Sequence, residues 1–361
     1  MIRTSKFDDR GASRDSTPRS PTGSKVKPDG FAQDPTPMPS MAIDQIEVPQ
    51  APPAVKVRKF FRPPQQRRPW GPIALFLCPA LFFYFAFIIY PVLVTFFNSF
   101  HILRQDLGLT YQFVGLQHFK EILAEDEVFW KAAGNSLTWA IVAPIVDMPL
   151  ALALALVLHA KVPLARFFRT VWFTPLLMSY PVVGVIWLWV YNYDWGMANL
   201  VLRAIGLGSY AEAWLANPAT ALPALILVTT WMFTGFHMVI LLTALHTIPQ
   251  EYLEAATVDG ANRWQRTFRI VIPLLRPTLV NLIILDFIGK MKQFALVWVM
   301  TRGGPMRGTE TVATYVIKRA FEWKTLDLGY PSAIAVIWFI IIFGLSFALM
   351  RFLQRREALE F

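Results

Sequence analysis

Six apolar runs, each long enough to cross a bilayer, follow one another along this chain once its first seventy residues are passed. A helix needs about 20 residues to span the hydrocarbon core. The runs fall near 71–98, 136–158, 171–192, 221–244, 278–300 and 331–352. Polar and charged stretches separate them, so the pattern predicts an all-α polytopic membrane protein with six transmembrane helices. Trp70, Tyr90, Trp187, Trp189, Tyr191, Tyr193 and Trp195 cluster at the ends of these runs. Amphipathic rings of that kind settle at the membrane–water interface. No repeat of 20–50 residues is visible and the two halves show no obvious internal symmetry, which weakens the case for a secondary transporter built from inverted repeats.

Residues 1–69 read differently. STPRSPTGSKVKPDG and QDPTPMPSM are rich in Pro, Ser, Thr and charge and show no apolar period. Such a segment buries too little surface to offset chain entropy, and a disordered N-terminal tail is expected. No apolar core follows its first basic residues, so it is not a secretory signal. KVRKFFRPPQQRR, at 56–68, sets a basic, Phe-bearing patch where anionic lipid headgroups would attract it.

Composition agrees with the pattern. The 361 residues are 55% hydrophobic and only 16% charged, which a soluble domain of this length would not be. The net charge of +10 lies in short clusters beside apolar runs, a positive-inside signature rather than a nucleic-acid face. Those clusters occur before the first run, in the 159–170 loop (Lys161, Arg166, Arg169), in the 245–277 loop (Arg263, Arg266, Arg269, Arg276) and at the C-terminus (Arg351, Arg355, Arg356). With six spans all four share one side, so both termini, including residues 356–361, are expected in the cytoplasm. The 301–330 loop carries Arg302, Arg307, Lys318, Arg319 and Lys324 on the opposite side. It should therefore be a folded external element, with TYVIKRAFEW as an amphipathic helix on the membrane surface. The single cysteine, Cys78, excludes a disulfide framework, and its apolar setting suits a core or lipid-facing residue.

The polar loop EYLEAATVDGANRWQRTFRIVIPLLRP interrupts this apolar chain on the side expected to be cytoplasmic. Thr247 and Gln250 have capping-box spacing, with Pro249 in the first turn, so a helix of two to three turns should begin near Ile248. Glu251 and Glu254 lie toward its positive end. Gly260 supplies the residue that stops it. A second short helix, from about Asn262 to Ile270, should follow, with Pro273 and Pro277 returning the chain to the bilayer. A short rigid helix presenting small Ala255 and Ala256 suits insertion into a groove on a soluble partner.

The residues Glu254, Ala255, Ala256, Gly260, Ile270, Ile272 and Pro273 match the EAA loop of ABC importer permeases, E-A-A, three residues, G, nine residues, I-x-L-P; Ile272 alone departs, replacing leucine. FVGLQHF, RTVWFTPLLMS and VMTRGGPMRGTETVATYVIKRAF further resemble the sugar-type, maltose-type permeases over roughly 70–355. The resemblance implies a type I importer permease in a bacterial inner membrane. It implies a second homologous permease as partner, two copies of a cytoplasmic ATPase docked on the EAA loops, and an external solute-binding protein. Glu254, Ala255, Ala256, Asp259, Gly260, Ile270 and Pro273 would couple this chain to the ATPase, which would hold ATP and Mg. No G-x-x-x-x-G-K-[ST] occurs here, nor any H-E-x-x-H or G-x-S-x-G of an intramembrane enzyme. Neither a catalytic residue nor a metal site is expected.

Ionisable residues inside a span are costly and mark function. LVNLIILDFIGKMKQFALVW places Asp286 and Lys290 four residues apart, on one helix face. By the resemblance, Asp286, Lys290 and, on the fourth run, Thr229, Met232, Phe233 and Phe236 would line a sugar cavity. The Asp and Lys replace the small polar or amide side chains of maltose-type permeases. Two readings stand: a structural ion pair, or a lysine that faces an acidic sugar, sugar phosphate or sulfonate. His237 and Asp147 also lie within spans, and His237 reads as a packing residue. A stand-alone secondary transporter is the reading from another class.

Overall fold

The computed structural model describes residues 70–104, 110–160, 162–323 and 327–354. The tail 1–69, Lys161, Lys324 and the C-terminal end, with the expectations placed on them, lie outside the described residues. Helix α1 (Trp70–Tyr84) runs through a π turn into α2 (Tyr90–Asn98). A two-stranded antiparallel hairpin, β1 (His101–Arg104) and β2 (Thr110–Phe113), with His101 opposite Phe113, is a small addition to the all-α expectation. Then come α3 (Gln117–Ala124), α4 (Glu127–His159), α5 (Ala165–Phe173), α6 (Tyr180–Val190), α7 (Met197–Ala204) and α8 (Pro218–His246). Last are α9 (Gln250–Val258), α10 (Arg263–Arg266), α11 (Ile272–Met291), α12 (Ala295–Met300), α13 (Val312–Ile317) and α14 (Gly329–Gln354).

Among the described residues five helical stretches are long and apolar enough to cross a membrane, and six if one bent pair counts as a span. That pair corrects the third predicted run. Instead of one straight helix over 171–192, Ala165–Leu177 and Tyr180–Val190 meet at 105°. Pro175 starts a 3₁₀ turn, Met178 and Ser179 are extended, and Pro181 has no N–H to continue a ladder.

The fifth run is also corrected, from 278–300 to Arg263–Met291. The helix expected to end at Ile270 does not end there. It widens into a π turn at Thr267–Val271 and continues as α11 through Pro273 and Pro277. Pro273 follows directly on the π turn, as the second residue of α11. At the other end no Pro or Gly stops the helix. The Met291 carbonyl accepts from Trp338 Nε1 (3.2 Å), and the Gln293 carbonyl accepts from Thr311 Oγ1 (2.8 Å).

α4 and α8 form the central pair. The face of α4 turned inward is a stripe of small side chains, Ser136, Ala140, Ala143, Ala151 and Ala155, all with no exposure. Small residues at this spacing let backbones approach where no hydrophobic drive between helices exists. α8 supplies Thr229, Thr234, Met238 and Leu241 in return. On another side of α8, a Cβ at Gly235 would stand 1.8 Å from the Trp172 carbonyl oxygen, so α5 crosses in direct backbone contact. By contrast, none of the apolar window in Ala74–Asn98 is buried within the chain. Cys78 is exposed on that first span.

The 301–330 element is folded, as expected, but the first half of its helix is packed inside the protein, while Phe321, Glu322 and Trp323 at its end are exposed. Val312, Thr314 and Tyr315 of α13 are buried against α4 and α14. Asn135 Nδ2 donates to the carbonyls of Arg307 (3.0 Å) and Glu310 (2.9 Å), and Lys318 pairs with Glu310 at 2.6 Å. The Tyr315 and Tyr330 hydroxyls both donate to Asp126 Oδ2. Burial and that carboxylate hold the Tyr315 phenol protonated far above its ordinary range.

Candidate functional site

Two groups of candidate residues were expected, and the structure gives them opposite characters. The first is the polar loop. Helix α9 starts at Gln250 with Pro249 as its N-cap and no side-chain cap. The capping box expected at Thr247 and Gln250 is not formed, because the Thr247 hydroxyl turns back to the Ala244 carbonyl (2.8 Å) and closes α8 instead. A capping box forms fifteen residues further on, at the start of α10, where Asn262 and Gln265 cap each other's backbone N–H at 2.8 Å. Gly260 sits at φ +78°, with its N–H on the Thr257 carbonyl and that of Ala261 on the Ala256 carbonyl. That is a Schellman stop, and glycine is the residue that takes this conformation without strain.

Glu254, Ala255 and Asp259 are exposed on α9, whereas Ala256 is 7% exposed and turned inward with Leu253. Only one of the two alanines is therefore presented outward. Ile270 lies in the π turn and Pro273 at the start of α11, so both belong to the rod leading into the membrane rather than to α9. Arg266 Nη1 donates to Thr257 Oγ1 (2.8 Å), fastening the two arms of the loop together. Reading for polar residues missed the exposed apolar ones: Tyr252, Val258, and the stacked pair Trp264 and Phe268 at 5.7 Å.

The second group is buried where α4, α8 and α11 meet. Lys290 Nζ lies 3.5 Å from Asp286 Oδ1, one turn earlier on α11, and 3.5 Å from Asp147 Oδ2 on α4. His237 Nε2 of α8 is 3.9 Å from Asp286 Oδ1, and the Phe233 ring lies 4.4 Å from the ammonium. The pair expected from spacing is thus part of a cluster spanning three helices. Its charged members have 6% exposure or less. The 3.5 Å separations exceed the roughly 2.8 Å of a charge-assisted hydrogen bond, so Coulomb attraction rather than a directional bond joins them. Asp147, His237 and Asp286 place donor atoms within 4.8 Å of one another, as a metal would require. The Lys290 ammonium already stands among them as their cation. Asp147 lies in register with the small-residue stripe of α4, four residues before Ala151, and that position was the signal available in the sequence.

The other cavity candidates divide. Thr229 is fully buried, accepting from Trp139 Nε1 (3.1 Å) and donating to the Ile226 carbonyl (2.9 Å). Met232 is core, and Phe236 is exposed. A cavity of about 500 Å³ opens between α4 and α8, with Thr138, Val142 and Val146 on one wall and Ile226 and Thr230 on the other. None of the six expected residues lines it.

Residues 147–358 match the family described as the binding-protein-dependent transport system inner membrane component. The chain belongs to that family. It is 35% identical over 266 residues to a probable ABC transporter permease protein of Pyrococcus horikoshii, covering 73% of this chain and 89% of that one. It is 31% identical over 279 residues to a trehalose/maltose transport system permease protein of Thermococcus litoralis, covering 76% and 90%. A sulfoquinovosyl glycerol transport system permease protein of Agrobacterium fabrum is 30% identical over 283 residues, covering 78% and 90%. Among solved structures, a bacterial ABC transporter involved in import of the acidic polysaccharide alginate superposes with a TM-score of 0.68 at 21% identity, covering 79% of this chain and 96% of that one. At that identity the likeness speaks for fold alone. This is a multi-pass permease of the ABC importer type, and the six-span expectation stands with its third member bent.

Proposed function

We propose that this chain is the membrane-spanning subunit of an ATP-driven importer that moves a sugar or sugar-like solute received from an external binding protein. α9 docks a cytoplasmic ATPase. The observation that carries this reading is the short exposed helix with its Schellman stop, bearing Glu254, Ala255, Asp259 and Gly260 at EAA spacing. Nucleotide and Mg are held by the ATPase, and closure of its dimer moves α9 as a rigid body between two states of the permease. The face of α1 and α2 left uncovered by this chain suits a second, homologous permease. With α9 in the cytoplasm, both termini are cytoplasmic too.

The test is co-purification. The wild-type chain should retain the ATPase, and Glu254→Ala and Gly260→Pro should lose it while still extracting as folded protein. Unchanged retention in both variants would remove the docking role and leave a stand-alone secondary transporter as the better reading.

For the cargo, relatives named for trehalose/maltose and for sulfoquinovosyl glycerol leave neutral and anionic sugars both open. The geometry favours the neutral one. Lys290 is 2% exposed, and two carboxylates face its single ammonium, so no net positive charge is offered to an anionic solute. Phe233 and Phe236 supply ring faces to a sugar ring. Substrate-stimulated ATPase activity of Lys290→Ala separates the cases: an acidic cargo predicts selective loss with anionic sugars, a neutral one predicts parallel loss with both.

A further inference from the structure

A second cavity, of about 490 Å³, lies beneath the coupling helix and plays no part in the reading above. Leu156 and His159 enter it from the end of α4, Leu245 from the end of α8, Leu253 from the inward side of α9, and Arg263 and Arg266 from α10. Ile248 and Val271 complete its apolar wall, and no carboxylate lines it. The ring of His246 stands 5.2 Å from that of His159, adding a second imidazole behind the first. Arg266 is held in place by Thr257, and its neighbour Arg263 is one turn away.

The position is as informative as the charge. α4 is 33 residues long, about 50 Å, and so projects beyond a hydrocarbon core of about 30 Å. His159 is its last residue, and the long helix that becomes α11 starts at Arg263 beside it. The cavity lies where α4 ends and the Arg263–Met291 helix begins, which is headgroup depth for two helices that cross a bilayer. Basic pockets between spans on the cytoplasmic side suit anionic lipid headgroups, which that leaflet supplies.

We propose that this pocket binds the phosphodiester headgroup of an anionic membrane lipid, the guanidinium groups of Arg263 and Arg266 meeting the phosphate and the leucines meeting the first acyl carbons. The proposal rests on the reading of α9 only for the side of the membrane. Because Leu253 forms one wall, lipid in the pocket braces the inward face of α9.

Native mass spectrometry of the complete transporter, extracted from vesicles of equal parts phosphatidylcholine and phosphatidylglycerol, tests it. The wild type should retain phosphatidylglycerol in preference to phosphatidylcholine. The Arg263→Gln/Arg266→Gln double variant should lose that preference by roughly tenfold or more. Arg263→Gln alone leaves the Arg266–Thr257 tie in place, and it should lose part of the preference with unchanged melting in phosphatidylcholine. Equal retention by the wild type and the double variant would overturn the proposal. So would stabilisation of the wild type by inorganic phosphate with no retained phosphatidylglycerol, which would make this a free-anion site. ATPase retention is scored in the same preparations. Its absence from the wild-type complex counts against the docking role and leaves the lipid comparison readable.

Discussion

The α9 loop and the Asp147–Asp286–Lys290 cluster are the two most polar places in an apolar molecule, and they are built by opposite means. The loop closes on itself: its stop, its cap and its cross-tie join residues fewer than a dozen positions apart. Its acidic side chains stay exposed, so their charges are screened and contribute little to stability. The cluster joins α4, α8 and α11, with partners up to 143 residues apart on the chain, and it is almost fully desolvated. Glu251, Glu254 and Asp259 in the loop face outward. Charges in the cluster are committed to each other. Polarity in a membrane protein thus marks function by two routes, and exposure tells them apart.

That contrast can be broken most readily at Lys290. Lys290→Met leaves two buried carboxylates without their ammonium, and loss of one partner from such a group costs about 3–5 kcal/mol. A midpoint shift in denaturant unfolding of the purified permease measures it. Adding Asp147→Asn should recover part of the loss; no recovery would show that the two do not interact. Next in size, Gly235→Ala drives a methyl group into the Trp172 carbonyl and should cost about 1–3 kcal/mol with no change in charge. A thermally unaltered variant would mean that α5 and α8 separate easily. Within the loop the expected effects are smaller. Asn262→Ala removes a capping box worth about 1 kcal/mol, read as faster amide exchange from Trp264 onward with the core unaffected. Smallest is Glu254→Ala, which should alter stability by less than about 0.5 kcal/mol while abolishing ATPase retention. If Glu254→Ala instead unfolds the protein, the loop is structural and the contrast collapses.

How much could be read from the chain follows the same division. Gly260 announced its left-handed stop, because only the local backbone decides it. The Asp286–Lys290 pair followed from i, i+4 spacing on one helix. Local reading went wrong where tertiary contacts decide. Thr247 had cap spacing but its hydroxyl turned back to Ala244, so α9 has no side-chain cap, and the box forms at Asn262 on α10. The break after Met291 has no local breaker and depends on carbonyls claimed by Trp338 and Thr311. Asp147 and His237 were visible as intramembrane ionisable residues, but nothing in sequence spacing relates α4 or α8 to Lys290. TYVIKRAFEW was read as a surface helix, yet Thr314 and Tyr315 in its first half are buried in protein while Phe321 near its end stays exposed. Pro273 and Pro277 suggested a return toward the bilayer in a loop, whereas a π turn let the helix pass through both.

The unbroken run from Arg263 to Met291 has a mechanical consequence. A stretch of 29 residues measures about 43 Å, and a helix transmits an axial push almost without compression. A tilt of about 5° around its midpoint would move each end by roughly 2 Å in opposite directions. One end carries the Asn262 cap beside α9, and the other carries Lys290. A nudge at the rim therefore arrives at the charge cluster as a change in the 3.5 Å separations on which that cluster depends, with no relay of intermediate contacts required.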